Sequence, residues 1–208
     1  MRRTRSRSKA FTLIELMIVV ALIAIIVTLA APSFRDMILM QRLRGINAQL
    51  VTDLAFARSE AVSRGTFMQV HFQSNGTMTC YIILASTTPA TSTPICDCTV
   101  AAGSRCSNPT ATEVKTVQAP VSESVRFDHN VSPTGIPTSR LPYFTIDPRT
   151  GGVWVASIPE NVNAPTFVVE TSILIDPAPV RRFRNLYRLS GQLSVCTPSR
   201  STVGGPAC

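Results

Sequence analysis

The first apolar stretch of the chain has no periodicity at all. From Phe11 to Ala31 every position is apolar except Thr12, Glu15 and Thr28. At about 1.5 Å rise per residue and about 20 residues per crossing, the run is long enough to span a bilayer as one helix. From Ser33 to Gly65 the pattern changes. Phe34, Ile38, Leu43, Ile46, Leu50, Leu54, Ala57 and Ala61 recur mostly at three- and four-residue steps, and Arg35, Asp36, Arg42, Arg44, Asp53, Arg58 and Glu60 fill the gaps. This predicts an amphipathic helix that continues the membrane helix and packs a domain with one face. Gly65 is placed to end it. Together the two parts predict a helix of about 50 residues, or about 75 Å.

After Gly65 the period becomes two. Phe67 to Phe72 alternates, turns at Ser74-Asn75-Gly76 and returns from Thr77 to Leu84, a hairpin by pattern. His71 is expected on a strand face rather than as a ligand or base. Residues 85–124 are rich in Thr, Ser, Pro and Ala and hold three cysteines, which reads as a variable, disulfide-stapled surface insertion. Further strands are expected at 124–127, 143–147, 152–156, 166–175, 184–189 and 192–196, the last two joined by a turn at Ser190-Gly191. Tyr143 and Trp154 are expected in the core or on a sheet face. The fold class is therefore α+β, a long N-terminal helix packed on an antiparallel β head that spans residues 66–208.

Charge refines this division. The whole chain carries +8, but residues 1–10 hold Arg2, Arg3, Arg5, Arg7 and Lys9 and no acid, so without these five the remainder is +3. A basic end before an apolar span holds that end in the cytoplasm and exports the rest. Six cysteines beyond such a span, Cys80, Cys96, Cys98, Cys106, Cys196 and Cys208, imply disulfides in an oxidising compartment. The preferred set joins Cys196 to Cys208 and pairs the other four among themselves, with the partners of those four left open. A zinc site at Cys96, Cys98 and Cys106 has neither the usual spacing nor a nearby histidine. No metal, cofactor or catalytic constellation is expected, and the chain reads as a non-enzyme.

An ionised carboxylate in hydrocarbon costs about 3 kcal/mol or more, so Glu15 calls for a partner. A cut between Ala10 and Phe11 would supply one, because the new α-amine lies one turn from Glu15. A basic leader, a small residue, Phe-Thr-Leu-Ile-Glu-Leu and an apolar helix with Pro32 near its end together resemble the type IV pilins and pseudopilins. The resemblance implies cleavage before Phe11 by prepilin peptidase, methylation of the new N-terminus and a role for Glu15 in guiding subunits into a fibre. Pro32 falls where many pilins carry a helix-breaking proline. Ala10 departs from the glycine usual before the cut. A secretory signal peptide explains less: Leu29-Ala30-Ala31 has the right small residues, but the apolar core exceeds the usual 7–15 or so and gives Glu15 no role.

Leu54 to Gly65, reading LAFARSEAVSRG, resembles the helix end of the GspH/FimT branch, which holds minor pilins and the H pseudopilin of type II secretion. Phe144 to Gly151 and the closing hairpin from Leu186 to Cys196 resemble the C-terminal part of that domain. Arg58 and Glu60 are expected on a solvated or domain-packing helix face. The resemblance implies a minor pilin that primes or tips a pilus, with other major and minor pilins and the inner membrane as partners. It equally admits a type II secretion pseudopilin. A third expectation is DNA capture for natural transformation, through Arg181, Arg182, Arg184, Arg188 and Arg200, since the chain from Pro177 on has these five arginines and no acid. Some FimT-type pilins carry Gly-Arg-x-Arg in the C-terminal loop, where this chain reads Gly191-Gln192-Leu193-Ser194.

Overall fold

The computed structural model describes residues 12–89, 96–128, 143–154, 166–173, 181–188 and 190–208. Its first element is one α-helix, α1 (Leu13–Arg64). Thr12 starts it: its hydroxyl accepts from the Glu15 N–H at 3.3 Å and its carbonyl from the Leu16 N–H at 3.2 Å. The helix runs on through Pro32, although a proline removes one backbone bond, because long helical flanks on both sides propagate the turn. The chain divides into two compact units, up to Ile38 and from Leu39 onward. In the first, the segment Leu13–Ala30 has a mean hydropathy of 3.0 and buries no residue. It is long and apolar enough to cross a membrane.

Among the described residues the second unit is the rest of α1 with nine strands: β1 (Phe67–Ser74), β2 (Met78–Ser86), β3 (Ala111–Pro120), β4 (Val125–Asp128), β5 (Tyr143–Ile146), β6 (Val153–Trp154), β7 (Thr166–Ile173), β8 (Arg182–Arg188) and β9 (Leu193–Cys196). They form two antiparallel sheets, ordered β3-β2-β1-β5-β6 and β4-β7-β8-β9. Both face the buried stripe of α1. Leu50, Leu54, Ala57 and Ala61 meet Met68, Val70, Phe72, Tyr81, Ile83, Phe144 and Ile146 of the first sheet and Phe127, Val169 and Tyr187 of the second. Phe127 ties the sheets together, lying edge-on to Tyr81 at 5.1 Å and 6.5 Å from Phe72.

Polar groups fix α1 along this stripe. Asn47 Oδ1 accepts from Thr171 Oγ1 at 2.6 Å and from Asn185 Nδ2 at 2.8 Å. Asp53, buried, accepts from the Tyr81 hydroxyl at 2.7 Å and from Lys115 Nζ at 2.6 Å. Burial first, then the bond to Asp53 and its charge, push the Tyr81 phenol far up, so it stays a donor. Arg44 donates to the Val203 carbonyl at 3.3 Å, where the tail closed by Cys196–Cys208 lays Val203 on Leu43 and Val125.

The expected surface insertion at 85–124 is corrected in its second half, because residues 111–120 are β3 and pair with β2 along its length. A register shift between Ile83 and Leu84 hides the strand in the sequence. On one side of the shift Lys115 and Val117 share the inner face of Ile83 and Tyr81, and on the other Glu113 and Ala111 share the outer face of Leu84 and Ser86. A bulge of this kind flips the period-two pattern halfway along, so neither half shows it for long. Residues 96–106 lie as a cover on the outer face of the first sheet. Cys80–Cys98 and Cys96–Cys106 staple it there, packing on Ile82 and Leu84. Gln73 and Gln118 hold its backbone: Gln73 Nε2 donates to the Cys96 carbonyl, Gln73 Oε1 accepts from the Cys98 N–H, and Gln118 Nε2 donates to the Cys98 carbonyl. Arg105 pairs with Glu113 alongside.

This cover buries His71, which the alternation alone would leave on an open face. The ring stands 5.3 Å from Tyr143, and Nε2 lies 3.1 Å from Gln69 Oε1, an acceptor, which puts the neutral ring's proton on Nε2. Nδ1 is buried with no hydrogen-bond partner among the described residues. Burial pushes the pKa down to about 4 from 6.5. Unfolded chains therefore bind the proton first as pH falls through 6.5, so stability declines on acidification until the folded pKa is reached. We expect the wild type to lose about 2 kcal/mol between about pH 7 and pH 5 in denaturant titrations, a slope that His71→Leu removes. Parallel pH profiles for the two proteins would contradict this.

Candidate assembly motif and arginine face

Ala10 and Phe11, the expected processing pair, lie outside the described residues. Glu15 sits in the first turn of α1, three residues after its Thr12 cap. This is the spacing of a capping box, and it holds the Glu15 backbone in helical geometry from the start of the span. Among the described residues no group pairs with its carboxylate, which leaves the N-terminal residues or a second subunit to supply an amine partner.

The arginines are gathered by strand alternation. On β8, Phe183, Asn185 and Tyr187 point inward, whereas Arg182, Arg184 and Arg188 share the outer face. Glu170 of β7 stands directly opposite Arg184 in the ladder. It accepts from Arg184 Nε at 2.7 Å and lies 3.3 Å from Arg182 Nη1. Two of the five candidate DNA contacts thus share one buried carboxylate. Arg181 is half-buried at the start of the strand. Arg188 is exposed at its end. Arg200 is exposed in the C-terminal loop at φ 74° and lines a depression of about 550 Å³ with Arg184. The structure puts Arg182, Arg184 and Arg188 on one face of β8 with Arg200 beside Arg184, but with part of the charge already countered.

The better-built arginine is Arg58. It lies half-buried on α1, with Nη1 donating to the Gly191 carbonyl at 2.9 Å and Nη2 to the Ser190 carbonyl at 3.4 Å. Its guanidinium also rests on Gly151, the residue at the end of the β5–β6 turn. Gly151 and Gly191 both have positive φ, +63° and +78°, and a Cβ on either would strike Arg58. Side chain and glycines make one joint between the helix and the closing turns of both sheets. The expected domain-packing face is therefore the one that Arg58 occupies, while Glu60 pairs with Arg64 one turn on. Nothing in the sequence pattern marks Asp53, Asn47 and Lys115 as a site. The one available signal was Asp53 lying beside Leu54 within the apolar stripe. No group of three or more metal-ligating side chains occurs among the described residues.

A sequence profile for the prokaryotic N-terminal methylation motif matches residues 5–31, and one for type II transport protein GspH matches residues 47–182. No curated protein sequence matches the chain. Among solved structures, the minor pseudopilin EpsH from the type 2 secretion system of Vibrio cholerae is similar at 14% identity and a TM-score of 0.44, covering 74% of this chain and 97% of that one. The GspH profile takes in α1 from Asn47 on, the whole first sheet, and β4, β7 and the first residue of β8 in the second, well over half of the sequence, and the methylation profile takes in residues 5–10 and the apolar span. The chain belongs to the GspH family of type IV pilin-like proteins.

Proposed function

We propose that this protein is a structural subunit of a pilin-type fibre, a minor pilin that primes or tips a type IV pilus, and not an enzyme. The supporting observation is the unburied apolar surface of α1 from Leu13 to Ala30, in a chain whose N-terminal methylation motif covers the same residues. Such a surface is covered by lipid while the subunit waits and by neighbouring helices once it assembles. Prepilin peptidase would cut between Ala10 and Phe11, leaving the head on the periplasmic side of the inner membrane. Helix packing and the pairing of Glu15 with an N-terminal amine would then set the axial register between subunits.

Glu15→Ala tests this. The variant should reach the membrane with its three disulfides formed, yet enter fibres roughly tenfold less or worse, because an unpaired amine is left in hydrocarbon. Undiminished incorporation, scored by immunoblotting sheared fibres, would sink the role. The same family reading admits a type II secretion pseudopilin, and deletion separates the two machines: loss of pili supports the first, loss of exported enzymes the second. DNA capture has less behind it, since Arg182 and Arg184 already face Glu170 and Gln192 follows Gly191.

A further inference from the structure

An open groove of about 700 Å³ runs between the second half of α1 and the β8–β9 turn. Ala55, Ser59 and Val62, at i, i+4 and i+7, form its helix wall, and Leu193 faces them. Two groups at its base are left incomplete by the fold. Tyr187 is 2% exposed, lines the groove, and its hydroxyl has no hydrogen-bond partner among the described residues. An unpaired buried hydroxyl is costly, and native proteins rarely leave one without an acceptor. Arg58 donates only to neutral carbonyls, and no carboxylate pairs with it among the described residues. Glu60, the nearest acid along the helix, is paired with Arg64.

A donor hydroxyl and an uncompensated guanidinium at the base of one groove have a specific complement. A carboxylate is negative and acceptor-only, and it takes a bond from each. Burial pushes the Tyr187 phenol up to about 12 although Arg58 pulls the other way, so the hydroxyl remains a donor across the physiological range. Ala55 and Ser59 keep the helix wall low, and Val62 and Leu193 offer apolar contact to the methylenes of an incoming side chain.

We propose that this groove is a socket for an acidic side chain of a neighbouring fibre subunit, gripped by Arg58 and Tyr187. The identity of the donor subunit rests on the assembly role proposed above; the preference for a carboxylate does not.

The test uses the full chain in detergent, titrated with N-acetylglutamate and, as a neutral isostere, N-acetylglutamine, while NMR follows the Tyr187 ring and Arg58 Nε–H signals. A lone side chain should bind at about millimolar Kd and saturate both signals, with the amide and the Tyr187→Phe variant about tenfold weaker. Tyr187→Phe should also unfold at the same temperature as wild type or higher, since its hydroxyl has no intramolecular bond to lose. Equal binding of acid and amide, no saturable shift, or a lower unfolding temperature in Tyr187→Phe each overturns the socket, the last by showing that the fold already satisfies the hydroxyl. In cells, a photo-crosslinking residue at Val62 should capture a segment of another subunit that contains Asp or Glu, and capture of a segment without one overturns the proposal. If Glu15→Ala assembles normally while the acid still binds, the fibre reading and the donor assignment fail and the carboxylate preference stands.

Discussion

Gly191→Ala should cost the head about 3–5 kcal/mol, combining the penalty of a left-handed backbone with that of overpacking. At φ +78° an ideal Cβ at this position lies 2.3 Å from the Gly151 carbonyl oxygen, 2.7 Å from Arg58 Cζ and 2.8 Å from Arg58 Nε. The arginine can swing aside, but the Gly151 carbonyl belongs to backbone that is itself at φ +63°, so relief means moving one turn of each sheet. Gly204→Ala is the matched control. Its φ is +71° and nothing stands within 4 Å of the added atom, so only the backbone term of about 1–2 kcal/mol applies. Urea unfolding followed by the fluorescence of the single tryptophan, Trp154, would read both. Equal losses in the two variants would mean that the Gly191–Gly151 contact is not a constraint.

Asp53→Leu should cost about 3 kcal/mol, and Asp53→Leu with Tyr81→Phe should recover more than half of it. The asymmetry follows from who can reach water. Lys115 is 40% exposed in its side chain and can turn outward when Asp53 is lost, whereas Tyr81 is fully buried and its hydroxyl would be stranded. Removing that hydroxyl as well replaces a polar trio by apolar contact, which buried clusters often tolerate. Additive losses in the double variant, measured in the same urea titration, would show that Asp53 and Tyr81 are not coupled.

The parts of the fold legible in the sequence are those with an unbroken period. The span has no polar side long enough to make a face, the helix stripe from Leu43 to Ala61 keeps steps of three and four, and β1, β7, β8 and β9 fall close to their expected positions. β3 is hidden in the sequence because its bulge reverses the alternation between Glu113 and Lys115. The alternation does not show the burial of His71, because the cover at residues 96–106 has few large apolar residues of its own; disulfides and glutamine side chains hold it down in their place. The pairing of Cys80 with Cys98 and of Cys96 with Cys106 depends on how that loop folds back, which spacing alone leaves open. Of the candidate site, the motif at Phe11 to Leu16 was plain. The joint of Arg58 with Gly151 and Gly191 was not, because it assembles residues 93 and 133 positions away from Arg58 through positive-φ turns that carry no local pattern of their own.

The polar attachments of α1 within the head, at Arg44, Asn47, Asp53 and Arg58, have a mechanical consequence. They are spread over about 21 Å of helix and engage the C-terminal tail, the second sheet, the first sheet and the closing turns in that order. A pull along the helix axis loads all four at once, in shear, together with the apolar stripe between them. They cannot be peeled off one after another, so the head should resist extraction along this axis far better than its small size suggests.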